Sequence, residues 1–385
     1  MRLLYVSADP GVPVLGHKGA SVHVRALVCA LVAKGVSVVL ASPRIAPEGE
    51  QLDVPVELVP IAPVLPKALA GVASLRTAVE RQAVEILGLA RQHAVEAVYE
   101  RYSLFSVGGV RAAAELDLRH VLEVNAPLRE EALRFRELPH PGLAATLERE
   151  VFAGTDRIFA VSATLARLLE ASGAGRAKID VVANGLDPDR FQTPRKIAHD
   201  VFTIGFAGSL KAWHGIDVLV EAFRRGVAEV PELRLEIIGD GPARKTLDDA
   251  RLPDGVMTCR GQLTHAETVR AMARWDVGAA PFHALRDFYF SPLKLVEYMA
   301  AGVCPVASDL PELRALLAGG TRGVLVEPGN VAALARAFVD LARNRERTAA
   351  LGAQAREYAL RSLPWSENAA QALRALGRAR IELVV

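Results

Sequence analysis

Residues 202–238, FTIGFAGSLKAWHGIDVLVEAFRRGVAEVPELRLEII, decide the fold. The apolar run from Phe202 to Phe206 predicts a buried strand, and Gly208 to Gly215 predicts a loop. Ile216, Leu219, Val220 and Phe223 then repeat at helical spacing, so one face of the next segment is apolar. Leu233 to Ile238 is a second apolar strand, which completes a βαβ unit of the parallel-sheet type.

The same texture opens the chain. Leu3 to Val6 predicts a strand, and a glycine-containing loop runs to Gly19. A helix from Ala20 carries Val24, Leu27, Val28, Leu31 and Val32 on one face, Gly35 caps it, and Val36 to Ala41 is the next strand. Apolar strands recur at Ala97–Tyr99, Val121–Val124 and Ile158–Val161 in this half. In the second half they recur at Val256–Cys259, Val277–Pro281, Val303–Ala307 and Gly323–Val326, giving a six-stranded sheet. Thr264 and Glu267 have the spacing of a capping box at a helix start.

Between the halves, residues 184–201 lose both periods and carry Asn184-Gly185-Leu186-Asp187-Pro188 and a later Thr193-Pro194, which reads as a linker. The expectation is an α/β protein with two Rossmann-like domains, 1–190 and 200–362, and a C-terminal helix over 364–385 that returns to the first.

Composition narrows the function. With 46 Lys+Arg against 44 Asp+Glu, the net charge of +2 lacks the basic excess that nucleic-acid binding requires. Cys29, Cys259 and Cys304 are far apart and without CxxC spacing, so they read as reduced core thiols of a cytoplasmic protein. No run approaches the roughly 18 apolar residues of a membrane span. Peripheral contact with the inner face of a membrane stays open.

Ligands of open α/β sheets sit beyond the carboxyl ends of the strands. Two loops there, Gly16 to Ala20 and Gly208 to Gly215, have the small residues that let backbone N–H groups approach a phosphate, and the second adds Lys211. Neither matches GxGxxG or GxxxxGK[ST], which argues against a nicotinamide dehydrogenase or a P-loop ATPase. An ordinary tight turn is the competing reading of each.

The sharpest feature is Ser291-Pro292-Leu293-Lys294-Leu295-Val296-Glu297. Ser291 suits an N-cap and Pro292 a first helical position, so the N–H groups of Leu293 and Lys294 would face an anion. A cation in the first turn opposes the helix dipole, and Lys294 there points to a bound anion that offsets the cost. Glu297, on the same face one turn deeper, suits ribose hydroxyls; the competing reading is a Lys294–Glu297 surface ion pair.

With these residues the chain resembles the family 4 retaining glycosyltransferases of the GT-B fold. The likeness is carried by Gly19-Ala20-Ser21-Val22-His23-Val24, Val161-Ser162-Ala163, Val182-Ala183-Asn184-Gly185-Leu186-Asp187, Gly205-Phe206-Ala207-Gly208-Ser209-Leu210, Ile238-Gly239-Asp240-Gly241-Pro242 and Glu297-Tyr298-Met299-Ala300-Ala301-Gly302. The order and spacing of the six together are specific.

The resemblance implies two parallel-sheet domains facing across a cleft. It also implies transfer of a sugar from a nucleotide-diphosphate sugar, with retention of configuration and no required metal or cofactor. Glu297 matches the second acid of the EX7E motif, expected on the ribose, and Leu293 matches a backbone donor to the diphosphate. Gly208 and Gly19 match loops that grip the same group from two sides.

The chain departs from the pattern at three positions. Tyr289 stands where the first acid belongs, with Asp287 a nearby substitute; Ser209 replaces an arginine and His214 a lysine, leaving Lys211 and Lys294 to supply charge. Where many relatives place a histidine near the reacting carbon, the strand runs into Glu123-Val124-Asn125, which makes Asn125 the candidate. His23 reads either as a helix histidine or as a phosphate contact, and Arg129 and Glu130 as acceptor contacts or solvated helix residues.

The reading is a glycosyltransferase acting on a glycan, lipid-linked or small-molecule acceptor. Its rivals are a GT-B nucleotide-sugar epimerase and a non-catalytic two-lobed sugar-binding protein.

Overall fold

The computed structural model describes residues 1–16, 19–45, 51–52, 54–65, 71–192, 200–284, 288–289 and 291–377. Among them, thirteen strands form two wholly parallel sheets. The chain divides into two compact units, one of Met1–Gly185, Tyr289–Ser291 and Trp365–Val385, the other of Leu186–Phe288 and Pro292–Pro364.

In the first unit the strands are β1 (Arg2–Ser7), β2 (Ser37–Ser42), β3 (Glu57–Pro60), β4 (Ala97–Arg101), β5 (Arg119–Val124), β6 (Arg157–Ala160) and β7 (Ile179–Val181). Their order is β3-β2-β1-β4-β5-β6-β7, so the direction of winding reverses between β1 and β4. Side-chain alternation sends Leu3 and Tyr5 to one face, under the helices Gly19–Ala33 and Trp365–Gly377, and Leu4 and Val6 to the other. Trp365 packs on Gly185, and Asn368 donates to the Ala183 carbonyl at 2.8 Å, which ties the last helix to this unit.

In the second unit the strands are β8 (Phe202–Ala207), β9 (Leu233–Ile238), β10 (Met257–Cys259), β11 (Val277–Ala280), β12 (Cys304–Ser308) and β13 (Val324–Val326). The order β10-β9-β8-β11-β12-β13 has its reversal between β8 and β11. Phe202, Ile204 and Phe206 pack with Leu219 and Phe223 of the helix Ile216–Glu229 and with Phe338 in one core. Fully burying a side chain such as Phe223 contributes about 2 to 3 kcal/mol.

The six strands of the second half agree with the sequence reading, but the first half has two more, β3 and β7, that it did not find. Both lie at the ends of the sheet, are short, and leave residues such as Val181 half-exposed, so they carry no apolar run. No disulfide joins the cysteines, yet only Cys304 is a core thiol; Cys29 and Cys259 are half-buried. Among the described residues, no helix is long and apolar enough to cross a membrane.

Candidate active site

In an open parallel sheet, a crevice forms beyond the strand ends where the winding reverses. The second unit places the predicted anion site there. β8 leads into Gly208, whose φ of 140° is open to glycine and strained for other residues, and a Cβ there would lie 3.3 Å from the Lys294 ammonium. The Gly208 N–H donates to Ile238 at 2.9 Å, and Leu210 N–H donates to Asp240 at 3.0 Å, so the loop is braced against the end of β9. Gly215 closes it at φ 65°, where a Cβ would overlap the Pro281 carbonyl. The loop from Gly208 to Gly215 is thus a fixed cradle at the reversal point.

Lys294 enters this cradle from the helix Leu293–Ala300. Its Nζ sits 4.1 Å from the centre of the Phe206 ring at the end of β8 and 5.2 Å from Phe282 just after β11. The ammonium is sealed from solvent and has no hydrogen-bond partner among the described residues. Burial accordingly pulls its pKa down to about 7, with Glu297 opposing the shift. The surface ion pair between Lys294 and Glu297 does not form: Glu297 Oε1 instead meets His265 Nε2 at 3.0 Å.

Ser291 is not the cap of that helix. The cap position is Pro292, without a side-chain hydrogen bond, and the Ser291 hydroxyl accepts from the Asn184 N–H at 3.3 Å. The first turn-closing bonds run from Leu295 and Val296 back to Pro292, leaving the N–H groups of Leu293 and Lys294 at the helix head, as such termini do.

His214 Nδ1 meets the Ser209 carbonyl, an acceptor, so Nδ1 carries the proton and Nε2 is left with its lone pair when the ring is neutral. Burial, followed by the charges of Lys294 and Lys211, lowers its pKa to about 4. At neutral pH His214 therefore does not replace the charge of a lysine. Lys211 lies 5.9 Å from the centre of the Trp213 ring and is half-buried. Lys294, Gly208, Ser209, Lys211, His214, Leu293 and Glu297 all belong to this unit, whereas Ser291 belongs to the other.

The first unit builds a different centre on β4 and β5, beside its own reversal point. Glu123 at the end of β5 accepts from Tyr99 at 2.7 Å, from Arg101 at 2.9 Å and from the Asn125 amide. His23 Nε2 lies 2.9 Å away, off the hydrogen-bond direction. Burial alone would raise the Glu123 pKa, but His23, Arg101 and Tyr99 outweigh it and hold the carboxyl well below the usual range. His23 is thus a packed helix histidine, stacked edge-on to Trp365. Sequence reasoning missed Glu123, and a carboxylate inside the apolar run Val121–Val124 was the available signal.

Gly19 begins the first helix and is exposed. Buried Arg25 donates to the Val14 and Gly16 carbonyls at 2.9 and 2.6 Å and shapes the preceding loop; an arginine on an apolar helix face was its signal. Arg129 and Glu130 are paired at 2.6 Å, and Arg129 also holds Glu148. Tyr289, at the position of the first acid, gives its hydroxyl to Glu131, and its carbonyl accepts from Ser162 at 2.8 Å. Asp287 lies outside the described residues. Among those described, no group of three or more His, Cys, Asp or Glu residues could hold a metal.

Comparison with known proteins agrees with this architecture. Residues 17–190 match the profile of "Glycosyltransferase Family 4", and residues 201–344 match that of "Glycosyl transferases group 1". A phosphatidyl-myo-inositol mannosyltransferase of Mycobacterium leprae is 32% identical over 307 residues, covering 74% of this chain and 78% of that one. A D-inositol 3-phosphate glycosyltransferase of Thermomonospora curvata is 29% identical over 271 residues, 60% of each. Among solved structures, Anabaena HepE in complex with UDP superposes with a TM-score of 0.71 at 17% identity, over 98% of this chain and 100% of that one. Fold and sequence together define a glycosyltransferase of the GT-B class. The chain belongs to the group 1 glycosyltransferases, family 4.

Proposed function

We propose that the chain transfers a hexose from a nucleotide-diphosphate sugar to an acceptor hydroxyl with retention of configuration. The observation that carries this reading is the buried Lys294 ammonium, unpartnered among the described residues and set against Gly208 at the reversal point of the second sheet. An uncompensated buried cation is costly, and a diphosphate is the ligand that offsets it while also using the N–H groups of Leu293 and Lys294. In this reading Gly208, Ser209 and Lys211 line the diphosphate, His214 Nε2 faces it, and Glu297 accepts from the ribose. HepE, which shares the fold, is described with UDP, in keeping with such a donor.

The first unit is the acceptor side. Within it Asn125, whose amide is held by Glu123 just past the end of β5, is the catalytic candidate. Two relatives named for inositol-bearing acceptors favour a polyol acceptor, free or in a lipid headgroup, and the second source would bring the enzyme to a membrane surface. In the transfer step the acceptor oxygen attacks the anomeric carbon on the face the diphosphate leaves. The carbon–oxygen bond to phosphate breaks, and a phosphate oxygen takes the acceptor proton. Lys294 and the helix N–H groups stabilise the charge that develops on the diphosphate. No metal is required, so turnover persists in excess EDTA.

The test is a thermal-shift screen with UDP, GDP, ADP and their sugars, followed by turnover of the stabilising donor with myo-inositol phosphate or phosphatidylinositol vesicles. The product anomer, read by NMR, should match the donor. Inversion, or a changed sugar without any acceptor, would replace this reading.

A further inference from the structure

Glu297 has a partner that nothing in its own helix predicts. His265 starts the helix His265–Met272, 32 positions away in sequence, and its Nε2 reaches Glu297 Oε1 at 3.0 Å. The backbone under His265 is fixed by a complete capping box. Thr264 Oγ1 accepts from the Glu267 N–H at 3.3 Å, and Glu267 Oε2 accepts from the Thr264 N–H at 2.9 Å. The imidazole stands edge-on to Phe191, with ring centres 6.1 Å apart, and Phe191 is buried. Arg356 donates to the carbonyls of Phe191 and of Ala300, the last residue of the Glu297 helix, so the residue that the His265 ring packs against is bonded to the helix that carries the carboxylate.

The contact has a chemical direction. A carboxylate only accepts, so His265 presents a proton on Nε2 and occupies one oxygen of Glu297. The other oxygen remains, and both side chains keep about a quarter of their surface open. A free glutamate side chain has several rotors to order before it can hold a hydroxyl; one already clamped has few.

We propose that His265 is a positioning residue of the nucleotide site, holding Glu297 in the one orientation that accepts from the ribose. The proposal rests on the reading of Glu297 as the ribose ligand. Ribose contact is alike in ground and transition states, so the loss of His265 acts on donor KM and leaves kcat nearly unchanged.

A double-mutant cycle tests it, with UDP, GDP and ADP titrated calorimetrically into the full chain and the tightest binder used. His265→Ala should weaken binding on the order of tenfold, and the double variant His265→Ala/Glu297→Ala should bind no worse than Glu297→Ala alone. His265→Gln, whose amide can donate from a similar place, should restore most of the affinity. Unchanged affinity in His265→Ala, additive penalties, or no recovery in His265→Gln overturns the role of His265 when Glu297→Ala does weaken binding. Unchanged affinity in Glu297→Ala overturns the ribose reading and this proposal together. A thermal melt of each variant separates these outcomes from loss of fold, because a purely structural histidine would shift the melt and leave the cycle additive.

Discussion

Each unit buries a charged side chain at or beside the point where its sheet's winding reverses, and the two are satisfied in opposite ways. Glu123 in the first unit is surrounded by Tyr99, Arg101, Asn125 and His23. Lys294 in the second lies against the rings of Phe206 and Phe282, with no acceptor among the described residues. Burial would push both groups toward neutrality. In Glu123 the neighbours outweigh burial and fix the charge; in Lys294 burial prevails and the group titrates near pH 7. A saturated charge is finished structure, whereas an unsaturated one is free to change state when a ligand arrives.

Glu123→Ala should show the largest effect, because it leaves Arg101 and His23 facing each other without their anion. The expected loss is about 3 to 5 kcal/mol of stability, measured by urea unfolding. A loss below about 1 kcal/mol would mean that the cluster is not the keystone of the first unit.

Lys294→Met should move stability the other way. The folded-state pKa of about 7 lies below the unfolded value, so the unfolded chain binds more protons between pH 7 and 10.5 and stability rises with pH across that window. Removing the ammonium should therefore raise Tm at pH 7 by several degrees, with the gain fading toward pH 10. The same variant should lose about tenfold or more in kcat. A lower Tm with full activity would make Lys294 a structural residue after all.

Glu297→Ala is expected to weaken nucleoside-diphosphate binding about ten- to a hundredfold. Lys211→Ala should be the mildest, costing between about twofold and tenfold in turnover, since its ammonium is half-solvated beside Trp213. If Lys211→Ala proves as damaging as Lys294→Met, the diphosphate lies further along the Gly208 loop than the ammonium of Lys294 suggests.

What the sequence revealed was set by the range of the forces involved. The apolar runs of β1 and β8 and the period of Ile216, Leu219, Val220 and Phe223 are local, so both βαβ units were legible. The cap at Thr264 was legible too, because its partner is three residues away. β3 and β7 were not, being edge strands that owe their state to a neighbour rather than to their own composition. Ser291 met every local rule for an N-cap, yet its hydroxyl bonds Asn184, 107 positions distant. Lys294 and Glu297, three residues apart, left a surface ion pair as the competing reading; their separation was settled by Phe206, Phe282 and His265 from elsewhere in the chain.

The most direct measurement is calorimetric titration of the binding nucleoside diphosphate at pH 8 in two buffers of different ionisation enthalpy. With Lys294 mostly neutral in the free enzyme at that pH, a diphosphate against its Nζ should restore the charge, and binding should take up close to one proton. The uptake should disappear in Lys294→Met. Tight binding with no proton uptake in the unaltered protein would contradict the account, because the ammonium would then not be the group that meets the phosphate.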